Sequence, residues 1–227
     1  MDDLSITDER LEEGLHGLRA VNRWLGGYSA LWSELYPYLE AVEGPIHVLD
    51  IGMGIGDIVA DLIRRAEGLE VIVRVTGVDI NPVTIAYADE WLAETLDPHQ
   101  YDRIELIADD LFALDFGPDS FDLCTASLFL HHLEDGEVVR ALRRMNGWAR
   151  DGFVINDLHR TPGAYYGLQF LNRMLPVSAM VRHDGPLSIL RGFRKRELER
   201  LATAAGCAEY SVEWHWAFRW TLSTIRL

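Results

Sequence analysis

The chain has 227 residues, 48% of them hydrophobic and 25% charged, a composition that suits one globular domain with a full core. Its 36 acidic residues stand against 21 basic ones, for a net charge of −15, and a surface of that sign repels phosphate backbones and argues against a nucleic-acid substrate. The two cysteines, Cys124 and Cys207, exclude a disulfide framework, and no Cys-x-x-Cys suggests zinc. No apolar run approaches the ~20 residues of a membrane span. With Asp2-Asp3 after Met1, the sequence predicts no secretory leader and a cytoplasmic protein.

In chain order, Leu11, Leu15, Leu18, Val21 and Leu25 recur at helical steps, so Asp8 to Leu25 reads as an amphipathic helix. After Gly26-Gly27 a second helical stretch carries Leu31, Trp32, Leu35 and Leu39 to about Ala41. These helices are expected either to pack on the body or to act as a lid. Beyond Gly44-Pro45 strands and helices alternate. Ile46–Ile51 is predicted as a strand, Asp57 to Ala66 as a helix, and Val71 to Val78 as a β-branched strand ending at Asp79. Asn81-Pro82 supplies a cap and an N1 proline for a helix to about Glu94. Further strands are expected over Ile104–Ala108, Phe121–Ala126 and Phe153–Asn156, with a helix over Gly136–Ala149.

Strand–helix repetition of this kind predicts an α/β fold with a mostly parallel sheet covered by helices on both faces. Thr161 to Leu190, with three prolines, breaks the rhythm and reads as a small cap of helical pieces; Arg194 to Ala205 is again helical. From Tyr210 to Thr221, aromatic or apolar residues alternate with polar ones, which is strand periodicity over a length that calls for two strands. That aromatic face is expected to be core, with a substrate wall as the alternative. The whole is read as a single domain, 1–227: helical addition 1–44, binding core 45–160, cap 161–192, and closing helix and strands 193–227.

The informative stretch is Asp50-Ile51-Gly52-Met53-Gly54-Ile55-Gly56. A buried strand ends in an acid, glycines follow at every second position, and a helix begins: a nucleotide cradle at a strand-to-helix turn. Glycine serves there because the turn needs unusual dihedrals and a ligand must approach the backbone. The spacing is not the G-x-G-x-x-G of dinucleotide folds. A short-chain dehydrogenase also needs Tyr-x-x-x-Lys, and the only lysine, Lys195, has Arg191 four positions before it.

With Asp50-x-Gly52-x-Gly54-x-Gly56, Val75-Thr76-Gly77-Val78-Asp79-Ile80, Asp109-Asp110-Leu111 and Phe121-Asp122-Leu123-Cys124-Thr125-Ala126-Ser127 in order, the chain resembles the class I S-adenosylmethionine-dependent methyltransferases. The resemblance runs from Val48 to Asn156 and implies a doubly wound, Rossmann-like, seven-stranded sheet and S-adenosylmethionine as cofactor. It implies that Asp79, followed by Ile80, grips the ribose hydroxyls. It places Asp110, preferred over Asp109, and Leu111 at the adenine, and the backbone around Ser127 near the methionine end. No metal is expected, because a magnesium-dependent catechol-type site would need an acid where strand four ends in Ala126-Ser127. An Asn-Pro-Pro-aromatic signature of DNA amino-methyltransferases is also missing.

If the methyl acceptor is a hydroxyl or an activated carbon, a general base helps, and histidine suits neutral pH. The candidates are His183 in the cap, His159 beyond strand five and His131 beyond strand four, with His183 and His159 ranked first because such positions usually face substrate. Trp24, Tyr28, Trp32, Tyr165, Tyr166 and Phe170 could wall an aromatic or lipidic acceptor. The segments Asn22 to Gly27, Asn156 to Arg160 and Arg182 to Ser188 resemble bacterial small-molecule methyltransferases of polyketide, phenolic-lipid or quinone type. The expected activity is methyl transfer to the hydroxyl of a phenolic or polyketide-derived small molecule. C-methylation of a quinol or polyketide ring, or a non-catalytic cofactor-binding protein, stand as alternatives; the sequence leaves the oligomeric state open.

Overall fold

A computed structural model describes residues 27–174 and 179–226; the amphipathic pattern of Asp8 to Leu25 lies outside the described residues. The elements are α1 (Gly27–Ala41), β1 (Ile46–Ile51), α2 (Asp57–Gly68), β2 (Val73–Asp79), α3 (Pro82–Thr95), α4 (Pro98–Tyr101), β3 (Ile104–Ala108), β4 (Phe121–Ser127), a 3-10 turn (Leu130–His132), α5 (Asp135–Trp148), β5 (Ala149–Leu158), α6 (Pro162–Met174), α7 (Ala179–Arg191), α8 (Lys195–Ala205), β6 (Ser211–His215) and β7 (Arg219–Ser223). They build a seven-stranded sheet in the order β3-β2-β1-β4-β5-β7-β6. The first five strands are parallel, β7 runs antiparallel beside β5, and β6 closes the edge as its hairpin partner. This is the doubly wound, mostly parallel architecture that the alternation predicts.

Two apolar layers sandwich the sheet. On one face Val48, Val75, Leu123 and Val154 meet Leu31, Leu35 and Leu39 of α1 and Val59 and Ile63 of α2. On the other, Leu49, Ile51, Phe153 and Ile155 meet Leu142 and Met145 of α5 and Leu198 and Leu201 of α8. Both faces of the central strands are therefore apolar, which is why they read as continuous hydrophobic runs rather than alternating ones. Helix α1 packs on the body: Leu31, Leu35 and Leu39 are all fully buried against the sheet. Tyr38 Oη, near its carboxyl end, donates to Asp151 Oδ2 at 2.7 Å.

Local signals explain the boundaries. The Asn81 side chain accepts from Val83 N at 2.9 Å and Pro82 occupies the first turn of α3, as expected for a capped start. Strand β5 runs well beyond the apolar core Phe153–Asn156, because β4 and β7 supply partners from Ala149 to Leu158. Among the described residues, the segment expected to form a cap holds two helices, α6 and α7. The aromatic alternation after Tyr210 is corrected in part. The chain reverses at Trp216 to Phe218, with Phe218 in the left-handed region at φ 58°, so the pattern is split between two strands. Trp220 is buried beside β5, whereas Trp214 on the edge strand and Trp216 in the turn are 46% and 70% exposed. Only part of that face is core.

Truncating Leu35, at the centre of the α1–sheet layer, should lower stability by about 2–4 kcal/mol, the usual cost of a buried Leu→Ala cavity. Urea denaturation of Leu35→Ala checks it, and a loss under 1 kcal/mol would mean that α1 is only loosely docked.

Candidate active site

Ligands in open α/β sheets bind outside the carboxyl ends of the strands, where strand order reverses. Here that point is β1, flanked by β2 and β4. Beyond it the chain turns through Gly52, Gly54 and Gly56 at φ 67°, 55° and 75°, all left-handed. Each L side chain would be strained there by roughly 1–2 kcal/mol. The turn is tied to β2: Gly52 N and Met53 N both donate to Val78 O, at 2.8 and 3.1 Å. Gly54 N donates to Asp79 Oδ2 at 3.1 Å, and Asn81 N to Asp79 Oδ1 at 3.0 Å. The first motif and Asp79 are thus held in one hydrogen-bonded unit.

The three glycines do different work. A Cβ on Gly52 would sit 2.5 Å from Phe129 Cδ2, and one on Gly56 would sit 2.9 Å from Leu92 and Met53 side-chain atoms. A Cβ on Gly54 would meet nothing within 4 Å. Gly52 and Gly56 are therefore needed for packing, while Gly54 faces open space over the strand end. Beside that space Ile80 is 55% exposed, an unusual placement for an isoleucine and an apolar shelf for a planar ring. Asp110 is half-buried; its Oδ1 accepts from Phe112 N at 2.8 Å, fixing the turn after β3, and Leu111 is buried behind it. The open cradle, the carboxylate at the end of β2 and the apolar shelf fit a nucleoside with a vicinal diol. Asp50, Gly52, Gly54, Gly56, Asp79 and Ile80 come together at this strand end, with Asp110 and Leu111 in the turn just beyond the neighbouring β3.

Asp50 is buried and accepts from Thr125 Oγ1 at 2.7 Å. Burial pushes its carboxyl up to about 7, the Thr125 hydrogen bond opposes this, and the charges of Asp57 and Asp79 raise it further. Burial also raises Asp79, against the Asn81 and Gly54 amides that favour its ionised form. Asp57, in the first turn of α2, accepts from Tyr28 Oη of α1 at 2.6 Å.

Past Ser127, the 3-10 turn brings His131 down onto β5. His131 Nδ1 lies 2.7 Å from Asp157 Oδ1, and His131 N donates to Asp157 Oδ2 at 3.2 Å. Both side chains are buried. Burial alone would raise Asp157, but the His131 charge and hydrogen bond, with the Leu158 and His131 amides, hold it below the usual carboxylate range. On the α1 side of the sheet Asn156 Nδ2 donates to Ser127 Oγ at 2.9 Å. The sequence alone offers Asn156-Asp157 only as the strand-five half of a metal site; it does not show their pairing with Ser127 and His131.

His159 is placed elsewhere. Its ring packs on Trp220 at 4.9 Å, and Trp214 Nε1 donates to its Nδ1 at 3.2 Å. It lines a surface cavity of about 540 Å³ with Arg160, Thr161, Arg194 and Lys195, and burial, then the Arg194 charge, lowers its pKa. The structure does not bring it to the glycine turn. The side chain of His183, on α7, lies outside the described residues. Side-chain oxygens of Glu34 on α1 and Glu213 on β6 and a ring nitrogen of His215 on β6 lie within 4.8 Å of one another. Glu34 and His215 both engage Thr221 Oγ1, at 3.2 and 3.0 Å, so the group ties α1 to the hairpin.

Residues 48–152 match the family model described as a methyltransferase domain. That match, the cradle just described and the solved structures below together support an S-adenosylmethionine-dependent methyltransferase with S-adenosylmethionine as cofactor. Solved structures share the fold across nearly the whole chain. An S-adenosylmethionine-dependent methyltransferase from Aquifex aeolicus has a TM-score of 0.63 at 11% identity, over 92% of this chain and 96% of that one. Magnesium protoporphyrin IX methyltransferase from Synechocystis, solved with S-adenosylhomocysteine, has a TM-score of 0.58 at 14% identity, over 98% and 89%. A candidate O-methyltransferase from Nostoc punctiforme has a TM-score of 0.65 at 17% identity; 94% of this chain aligns, spanning only 60% of that longer one. No curated protein matches the sequence.

Two outcomes follow from the cradle. Gly54→Ala should lose about 1–2 kcal/mol of stability from left-handed strain but bind S-adenosylhomocysteine at least tenfold more weakly, whereas Gly52→Ala should lose distinctly more stability through its clash with Phe129. Paired urea denaturation and calorimetric titration read both, and full affinity in Gly54→Ala would remove the open cradle. Because the folded-state pKa of Asp50 lies above its unfolded value, its contribution is complete below about pH 4 and is lost as pH rises through about 7. Asp50→Asn should therefore flatten the fall in stability across that interval, and an unchanged slope would contradict the burial effect.

Proposed function

We propose that the chain methylates the hydroxyl of a small molecule, phenolic or polyketide-derived, with His131 as general base. S-adenosylmethionine supplies the methyl group as an electrophilic sulfonium carbon. In this reading Asp79 accepts from the ribose hydroxyls, matching two acceptor oxygens to two vicinal donors. Ile80 and Leu111 border the adenine, Asp110 accepts from its amine, and Gly52, Gly54 and Gly56 let the methionine portion approach the backbone. Asp50 and Ser127 flank that portion from the ends of β1 and β4.

The observation that carries the acceptor assignment is the buried His131–Asp157 pair beside the end of β4. A carboxylate on Nδ1 fixes the imidazole tautomer and leaves Nε2 as the proton acceptor, the arrangement that activates a hydroxyl. The hydroxyl proton passes to His131 while the oxygen takes the methyl group. This order reverses the ranking from sequence. His183 is a second base candidate, since its helix α7 packs against the turn that carries His131. His159 is proposed only for the rim, given its separate cavity. The half-buried Tyr165 and exposed Tyr166 and Phe170 of α6 would form the outer wall for an aromatic acceptor.

Incubation with methyl-labelled cofactor and a panel of phenols, quinols and polyketide aromatics tests the reading. Transfer to oxygen is expected, with His131→Ala slowing kcat by roughly 10²–10⁴ and S-adenosylhomocysteine affinity unchanged. Label on ring carbon would replace O-methylation by C-methylation, and an undiminished kcat in His131→Ala would take the base role from that residue.

A further inference from the structure

The first residue of β7, Arg219, is only 1% exposed, yet neither its Nε nor its Nη1 has a hydrogen-bond partner. Those two nitrogens carry three of the five N–H donors of a guanidinium. Burial lowers its pKa to about 10, with the charge of Asp157 opposing, so it stays cationic at neutral pH. The described residues give it no ion pair: Asp157 is near enough to be felt and is itself engaged by His131 and Leu158 N. Burying a charge with idle donors is among the costlier arrangements in a protein interior, and an apolar residue would fill the position at less cost.

Register places the residue. Arg219 faces Leu158 across β5 and His215 across β6, and Thr221, two residues on, faces Asn156. Directly opposed residues share a sheet face, and residues two apart along a strand share one as well. Arg219 therefore lies on the face of Asn156 and Thr221. Asn156 is bonded to Ser127 at the end of β4, and Thr221 Oγ1 donates to Glu34 of α1. Arg219 pairs with Leu158, the last residue of β5, and so stands at the carboxyl edge of the sheet, two residues beyond the Asn156–Thr221 pair and separated from the glycine turn of β1 by β4 and β5.

We propose that Arg219 binds a carboxylate of the methyl acceptor, so that the substrate is a hydroxylated carboxylic acid rather than a neutral phenol. This rests on the reading of the site as one of methyl transfer. A carboxylate satisfies several N–H donors of a planar guanidinium at once and neutralises its charge in a dry site. Held there, the acid group would fix which hydroxyl faces His131.

The test uses the full chain saturated with S-adenosylhomocysteine and matched pairs of hydroxybenzoic, dihydroxybenzoic and hydroxyphenylacetic acids with their amides, titrated calorimetrically. The wild type is expected to bind at least one acid tenfold or more tightly than its amide. Arg219→Gln should abolish that preference, and Arg219→Lys should retain part of it. S-adenosylhomocysteine affinity should stay within twofold in both variants. A tenfold loss of that affinity would mean that the guanidinium holds the carboxylate of the cofactor's methionine end instead, and would overturn the proposal. So would a wild type that prefers no acid in any pair, a result that needs no variant to fold. Methylation of neutral phenols without acid preference defeats the Arg219 assignment alone; acid preference without methylation of any panel member defeats the hydroxyl-transfer reading and leaves Arg219 standing.

Discussion

Everything at the ligand end of this molecule depends on three left-handed glycines at alternate positions between β1 and α2. With an L side chain at Gly52 or Gly56 the loop would collide with Phe129, Leu92 or Met53. Because it can turn so tightly, its amides fold back on β2 and reach Val78 O and the Asp79 carboxylate. That single closure sets the position of the second motif relative to the first. It also aims the amino end of α2, with its partial positive charge, at the same space.

The buried acid at the end of β1 is the electrostatic counterpart. Asp50 sits where an apolar residue would pack more cheaply, linked to β4 through Thr125 and surrounded by Asp57 and Asp79. Three carboxylates around one strand end make a region that favours cationic groups, and the cofactor carries both a sulfonium and an ammonium. A positive charge is buried beyond the two intervening strands, at the start of β7, where Arg219 stays cationic.

Much of this was legible in the chain. β1 and β3 have the bounds read from their apolar runs, and the alternation of elements fixed the class of sheet. The left-handed glycines announced themselves by spacing. What could not be read depends on non-local neighbours. His131 and Asp157 are 26 positions apart, and only the parallel pairing of β4 with β5 joins them. Arg219 looked like the solvent-facing member of an alternating strand; it is buried because β7 lies inside the sheet, between β5 and β6, with α1 packed against that strand. Trp214 looked like core and is exposed because β6 is the edge. Order in the sheet, which periodicity does not encode, decided all three.

Helix α1 meets both halves of the site. Near its start Tyr28 is bonded to Asp57 at the mouth of the glycine loop, and two turns later Glu34 receives the Thr221 hydroxyl beside the acceptor strands. One helix thus carries a hydrogen bond to the first turn of α2 and another to β7, so any ligand-driven shift at one anchor would by linkage be felt equally, in free energy, at the other.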